Sequence, residues 1–226
     1  MYISPSERVI TFLTRDDCLI CKQTEGPLCE LCFMELSSDT VSRCYKCNKL
    51  TKQNAVCLSC RSKLRRVWWA GTYENHFKMI VSQMKLGRKR LIARQVGQYL
   101  ADTLPFLSEN TLVVPVPTAQ KRVRRRGFDH SVLMAQHLAK AKSLPYLNIL
   151  RRTNNLDQIG KKRSERIAQM KNSFELKNSI DLNGKSILLV DDVLTTGATL
   201  ESAAKTLRAN GASHVDAVVI ARHLLN

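Results

Sequence analysis

Eight cysteines stand at Cys18/Cys21, Cys29/Cys32, Cys44/Cys47 and Cys57/Cys60, as four consecutive CxxC pairs, and the 226-residue chain has no other cysteine. A CxxC knuckle turns two thiolates towards one tetrahedral ion, whereas a secreted disulfide framework rarely spaces every cysteine this way. Thioredoxin-like redox pairs are the rival, but such motifs sit between a strand and a helix, and four in tandem would be odd. Two zinc ions are therefore expected. Connections of seven and nine residues favour Cys18, Cys21, Cys29 and Cys32 for one ion and Cys44, Cys47, Cys57 and Cys60 for the other, although the spacing also admits crossed pairing. This segment has few large apolar side chains, so metal binding should supply most of its folding free energy. On that reading it has its own core, and Cys29→Ser would disorder its own site while leaving the rest of the chain folded.

A boundary falls near Arg66, where the cysteine-rich region gives way to the apolar run Val67-Trp68-Trp69-Ala70. It divides the chain into a metal-binding module over 1–66 and a second domain over 67–226. The tryptophans read as packing residues at the junction or in an early strand. His76–Lys85 and Arg88–Leu104 read as helices from their apolar spacing. Leu112–Val116 reads as a buried strand, Phe128–Lys142 as a helix and Tyr146–Leu150 as a second strand. After the polar, basic stretch Arg151–Lys171 come a short strand at Phe174–Leu176 and a buried one at Ile187–Val190. Thr199–Asn210 reads as a helix closed by Gly211, and Val215–Ala221 as a last strand. Strands alternating with helices predict an α/β fold with a parallel sheet flanked by helices. No apolar stretch approaches the roughly 18–20 residues needed to cross a bilayer. The opening MYISPSERVITFLTRDD carries charges where a signal peptide needs an apolar run, so a soluble, cytoplasmic protein is expected.

Lys and Arg number 36 against 19 Asp and Glu, a formal net charge of +17. The positive charge is concentrated in Arg61–Arg66, Lys85–Arg94, Lys121–Arg126, Arg151–Arg152 and Lys161–Arg166. One such run usually marks a solvated face. Five on one chain favour a polyanionic partner, either a phosphorylated ligand or nucleic acid. Aromatic residues make up only 6% of the chain, too few for an extended base-stacking platform.

The segment with the most chemistry is Ile187-Leu-Leu-Val-Asp191-Asp192-Val-Leu-Thr195-Thr196-Gly197-Ala198-Thr199. Four apolar residues make a central strand, and two carboxylates emerge at its C-terminal end, where open α/β sheets place ligands. The loop that follows offers threonine hydroxyls and a glycine for close backbone approach. It opens a helix whose unpaired N–H groups suit an anion. A phosphate on Thr195–Thr199, with hydroxyls or a hydrated Mg²⁺ on Asp191 and Asp192, suggests a ribose 5-phosphate. A carboxylate pair that merely caps the helix is the alternative. Gly184-Lys185-Ser186 imitates a P-loop, but it precedes the strand, and Ser179 stands where the first glycine belongs. No Ser/His/Asp or Cys/His set is evident. His130 and His137, seven apart on one helix, read as surface or packing residues.

VDDVLTTGAT resembles the phosphoribosyl-pyrophosphate (PRPP) signature of type I phosphoribosyltransferases. The resemblance extends to Val114–Thr118, to Arg126-Gly127-Phe128, to Gln158 with Arg166 and Phe174, and to Tyr73 with Lys85. With the CxxC array in front, the chain is similar over essentially its whole length to the ComF family (ComF/GntX type), which is linked to natural competence. Such proteins join a double zinc-ribbon module to a type I phosphoribosyltransferase domain. The resemblance implies that Pro117 and Thr118 lie in the pyrophosphate loop and that Arg151–Lys171, with Arg166, closes over PRPP. It also implies that Asp191, Asp192, Thr195, Thr196, Gly197, Ala198 and Thr199 form the PRPP loop. Two positions depart from the family pattern: Asp129 stands where asparagine is usual, and Gln169 where asparagine is expected.

Displacing pyrophosphate from ribose C1 puts negative charge on the leaving group. Metal and fixed donors on that group therefore matter more than a nucleophile. Thr118, Arg126 and the Lys161–Arg166 cluster offer such donors, and Mg²⁺ would accompany PRPP. Membership of a competence family implies handling of incoming single-stranded DNA during uptake in natural transformation, alongside other competence proteins. A phosphoribosyltransferase in salvage or base modification and a PRPP-sensing adaptor without turnover remain as alternatives.

Overall fold

The computed structural model describes residues 17–23, 26–37, 41–86, 90–153 and 173–223. After helix α1 (Glu30–Ser37) come strand β1 (Val67–Thr72) and helices α2 (Asn75–Leu86) and α3 (Arg90–Thr103). Strand β2 (Thr111–Pro115) leads to helices α4 (Gln120–Arg126) and α5 (His130–Ala141). A short antiparallel pair, β3 (Leu150–Arg152) and β4 (Phe174–Leu176), stands apart from the main sheet. Strand β5 (Ser186–Leu194), helix α6 (Ala198–Ala209) and strand β6 (His214–Arg222) complete the order. The main sheet runs β1-β6-β5-β2, and all of its pairings are parallel. Among the described residues no helix is long and apolar enough to cross a membrane.

Every residue of β2 is buried, as are Ile187–Val190 of β5 and Val215–Arg222 of β6. Strands apolar on both faces need cover on both. On one face Trp68, Val113, Leu188 and Ile220 pack with Ile80, Met84, Leu100, Met134 and Leu138 of α2, α3 and α5. On the other, Leu112, Leu189 and Val219 pack with Leu200, Ala204 and Leu207 of α6.

The sheet is longer than its apolar runs suggest. β5 continues through the two aspartates because β6 still offers backbone partners there, with Asp191 opposite Val219 and Leu194 opposite Arg222. Tyr146–Leu150 is not a continuous strand. Tyr146 makes a single parallel bridge to Val113, and Leu150 begins β3. Helix α4 has no apolar face and buries no side chain, so its hydrophobic pattern gave no signal. Gly127 ends it at φ +79, with its N–H donated to Val123 O at 2.8 Å.

Among the described residues, the large buried apolar side chains of the cysteine-rich module do not form the expected separate core. Leu28 and Phe33 belong to the cluster that holds Ile80 and Leu100, and Phe33 meets the rings of Tyr99 at 5.4 Å and Phe77 at 6.0 Å. Tyr99 Oη donates to Leu28 O at 3.1 Å. Tyr45 and Leu64 belong to the cluster on the opposite face, with Leu189 and Leu200. The two cysteine lobes therefore grip the sheet from opposite sides. With so few large apolar side chains of their own, they bury them against the α/β layers. Phe33→Ala should consequently destabilise the whole chain by about 3–5 kcal/mol. Thermal unfolding followed at the α/β helices should move down by on the order of 10 °C; an unchanged transition would show that the lobe is energetically separate.

Candidate anion cleft and metal centres

A cleft of about 340 Å³ opens where β2 and β5 end. Lys85 of α2, Val116–Ala119 after β2, Arg122 and Arg126 of α4, and His130 of α5 line it together with Arg152, Asp191–Val193 and Thr199. Asp192 Oδ2 sits 2.6 Å from His130 Nε2 and 2.6 Å from Lys85 Nζ. His130 Nδ1 lies 3.1 Å from an Arg126 guanidinium nitrogen. A guanidinium can only donate, so Nδ1 accepts and the ring proton sits on Nε2, pointing at Asp192. His130 is 2% exposed, so this chain from Arg126 through the imidazole to the carboxylate is shielded from water.

The two aspartates differ in kind. Burial, and then the charge of Asp192, push the Asp191 carboxyl well above the usual carboxylate range. Burial also acts to raise Asp192, but the His130 hydrogen bond and the Lys85 charge outweigh it and hold that carboxyl low. At neutral pH the pair carries mainly one negative charge, on Asp192. Asp191 Oδ1 accepts the Asp192 N–H at 2.9 Å.

Across the cleft, Asp129 organises the turn after β2. Its carboxylate accepts Thr118 N at 3.0 Å, Thr118 Oγ1 at 2.9 Å and, as the cap of α5, Ser131 N at 3.0 Å. Three donors need both carboxylate oxygens, which gives the departure from asparagine a physical reason. Arg152 Nε donates to Pro117 O at 2.9 Å. Arg126 Nε is buried without a hydrogen-bond partner, and burial holds the guanidinium below its ordinary range.

Gly197 takes φ +79 at the cap of α6, and Thr196 Oγ1 accepts Ala198 N at 3.3 Å. Thr199 faces the cleft, while Thr195, Thr196 and Ala198 lie exposed in the same loop. The structure thus brings together Pro117, Thr118, Arg126, Asp191, Asp192 and Thr199. Arg166, with Lys161–Arg166, Gln158 and Gln169, lies outside the described residues. Sequence reasoning placed His130 among packing residues and so missed it. The informative signal was its position at the first turn of the helix after Arg126-Gly127-Phe128, not its spacing from His137.

The cysteines gather into two clusters, Cys18, Cys21, Cys29 and Cys32, and Cys44, Cys47, Cys57 and Cys60, with the sulfurs of each within 4.8 Å of one another. This is the neighbouring arrangement and not the crossed one. Cys21 Sγ to Cys29 Sγ is 3.8 Å and Cys47 Sγ to Cys57 Sγ is 3.4 Å. A tetrahedron with metal–sulfur bonds of about 2.3 Å has edges of about 3.8 Å, while a disulfide requires about 2.05 Å. Burial acts to raise the Cys18 thiol, but the backbone N–H groups of Cys29, Ile20 and Cys21 win and bring it to about 6. Burial and then neighbouring Cys29 push Cys32 up to about 12. In the second cluster the Ser59 hydroxyl lowers Cys57 to about 6, and Cys57 in turn raises Cys60 to about 12. Four thiols this close ionise together only around a cation, so each donor set fits zinc.

Residues 123–224 match the phosphoribosyl transferase domain family. Competence protein ComFC of Bacillus subtilis is 29% identical over 195 residues, covering 81% of this chain and 79% of its own. Competence protein ComFC of Streptococcus pneumoniae is 27% identical over 219 residues, covering 94% and 95%. Competence protein F of Haemophilus influenzae is 27% identical over 207 residues, covering 79% and 90%. The chain is similar over most of its length to competence proteins of the ComF type. The matched domain region takes in His130, the acidic pair and the threonine loop, while Lys85 and both cysteine clusters lie before it. Its fold is the expected parallel sheet flanked by helices, with an N-terminal double four-cysteine module.

Proposed function

We propose that this chain binds PRPP with Mg²⁺ in the cleft and handles single-stranded DNA entering the cytoplasm during natural transformation. One observation carries the reading: an acidic pair at a strand end, a threonine-rich helix start and a rim of cations meet in a single cavity. Asp191 and Asp192 would take the ribose hydroxyls, and Thr195–Thr199 the 5-phosphate. Thr118 and the backbone of its loop would take the pyrophosphate, with Arg126, Arg152 and Arg166 as cations. Bound Mg²⁺ would supply the charge that steadies the pyrophosphate as a leaving group. Asp129 holds Thr118, and His130 fixes the Asp192 carboxylate, so the chain's own part is to orient both ends of the ligand. In this proposal residues 1–66 form the metal-binding module, which carries two zinc ions, and 67–226 the phosphoribosyltransferase-like domain.

The DNA half of the reading rests on α4, whose arginines and lysine lie on a helix that buries nothing and borders the cleft. Changing Arg122, Arg124 and Arg125 together to alanine should weaken binding to all sequences alike. It should also flatten the slope of log K against log salt by roughly 2–3. PRPP affinity should fall much less. Wild-type protein that fails to retard DNA at low salt would remove this half, and PRPP binding alone would then favour the sensing adaptor. Pyrophosphate release in the presence of a particular base would instead favour a transferase of salvage or base modification.

A further inference from the structure

The knuckle Cys44–Cys47 of the second cluster carries Tyr45, which is 2% exposed although it belongs to a short surface loop. Its ring lies directly under the threonine loop: a Cβ added at Gly197 would stand 2.5 Å from Tyr45 Cε2. Only glycine fits there, for its positive φ and for this contact. The Tyr45 hydroxyl donates to Glu201 Oε1 at 2.6 Å, in the first turn of α6. Lys46 Nζ, the next residue of the same knuckle, lies 2.7 Å from that carboxylate. Lys63 N, just past Cys60, donates to Glu201 Oε2 at 2.9 Å. Glu201 N in turn donates to Gly197 O at 2.9 Å, which joins the backbone of this residue to the loop.

The other side of the knuckle is anchored as well. Arg222, at the end of β6, donates to Tyr45 O at 2.9 Å and to Asn48 Oδ1 at 3.0 Å. Among the described residues the first cluster has no such link. Its contacts go to α2 and α3 on the opposite face, through Phe33 and Leu28.

We propose that Tyr45 and Glu201 are positioning residues that tie the second four-cysteine site to the threonine loop. Metal at Cys44, Cys47, Cys57 and Cys60 and a phosphoribosyl ligand at Thr195–Thr199 then strengthen each other's binding. The inference rests on the reading of the cleft as a PRPP site. Its physical basis is that the knuckle has one closed conformation with metal and many without, and only the closed one presents the ring and hydroxyl to the loop. Coupling of this kind is reciprocal by linkage.

Reciprocity supplies the test. Zinc-loaded full-length protein is mixed with a chromogenic chelator, with and without PRPP and Mg²⁺, while calorimetry on the same sample measures PRPP affinity. PRPP should slow release from one of the two sites about 5- to 10-fold and leave the other unchanged. Tyr45→Phe keeps the ring and loses the hydroxyl; Glu201→Gln loses the charge. Each should weaken PRPP binding about 5- to 10-fold and abolish the protection of zinc, with both zinc ions still bound in the absence of chelator. Tyr99→Phe, which removes the hydroxyl contact to the first lobe, should change neither readout. Tight PRPP binding with equal release from both sites, or wild-type affinity in both variants, overturns the coupling while leaving the PRPP site intact. No heat from PRPP with the wild type overturns the reading of the cleft and the coupling together.

Discussion

Stripping metal from both cysteine clusters should unfold the entire chain, and not merely its first 66 residues. Structural zinc in small four-ligand sites contributes on the order of 10–16 kcal/mol each, as much as or more than the roughly 5–15 kcal/mol that holds a typical domain folded. That free energy would matter only locally if the lobes had cores of their own. Among the described residues the burial is shared instead: Leu28 and Phe33 are buried with Ile80 and Leu100, and Tyr45 and Leu64 with Leu189 and Leu200. Loss of the closed lobes exposes both sets of partners at once. Elemental analysis of chelator-free protein should give about two zinc ions per chain, one for each cluster. Removal with a strong chelator should abolish the cooperative thermal transition of the α/β layers. Survival of that transition after complete removal, or clusters found oxidised to disulfides, would contradict the account.

The second large effect is expected at the acidic pair. Asp191→Ala with Asp192→Ala should lower PRPP affinity by a hundredfold or more, since the ligand would lose its hydrogen bonds to both side chains, the one to charged Asp192 alone worth about 1.5–3 kcal/mol. The double variant also leaves Lys85 and His130 without their shared acceptor, at a stability cost of about 1–3 kcal/mol. Asp192→Asn separates the two effects, because its amide oxygen still accepts the His130 proton while the charge is gone. Asp191 acts in the opposite sense. Its carboxyl titrates higher in the folded chain than in the unfolded one, so its contribution is retained in acid and lost as pH rises through the raised value. Asp191→Asn should therefore be more stable than wild type at neutral to mildly alkaline pH, with the gap closing towards pH 4. Denaturant titrations at both ends of that range would check the sign, and an unchanged PRPP affinity in the double alanine variant would remove the loop assignment.

The sequence made the sheet legible because a doubly covered parallel strand must be continuously apolar, as at Leu112–Val114 and Ile187–Val190. It made the metal clusters legible because CxxC spacing has few other uses. What it hid depends on groups that meet only through the fold. His130 is polar and sits at a helix start, a position with no periodicity to betray it. Lys85 reaches Asp192 from a helix more than a hundred residues earlier in the chain. The exposed helix α4 has no apolar face, and β5 runs past its apolar run because its neighbour continues, which no local pattern records. The shared core was hidden for a related reason. Phe33 belongs to no local apolar pattern, and its partners Phe77 and Tyr99 come from α2 and α3.

The pairing of β1 with β6 has a consequence for synthesis. Val67 pairs with Ala217 and Thr72 with Arg222, so β1 waits for a strand made much later in the chain. As the polypeptide leaves the ribosome, Val67-Trp68-Trp69-Ala70 emerges well before β6, the strand that it joins. Parallel pairings between such distant segments form slowly, and an unpaired apolar strand invites association with other chains in the meantime. Early metal capture by the two cysteine clusters, which precede this strand, would close both lobes before it emerges.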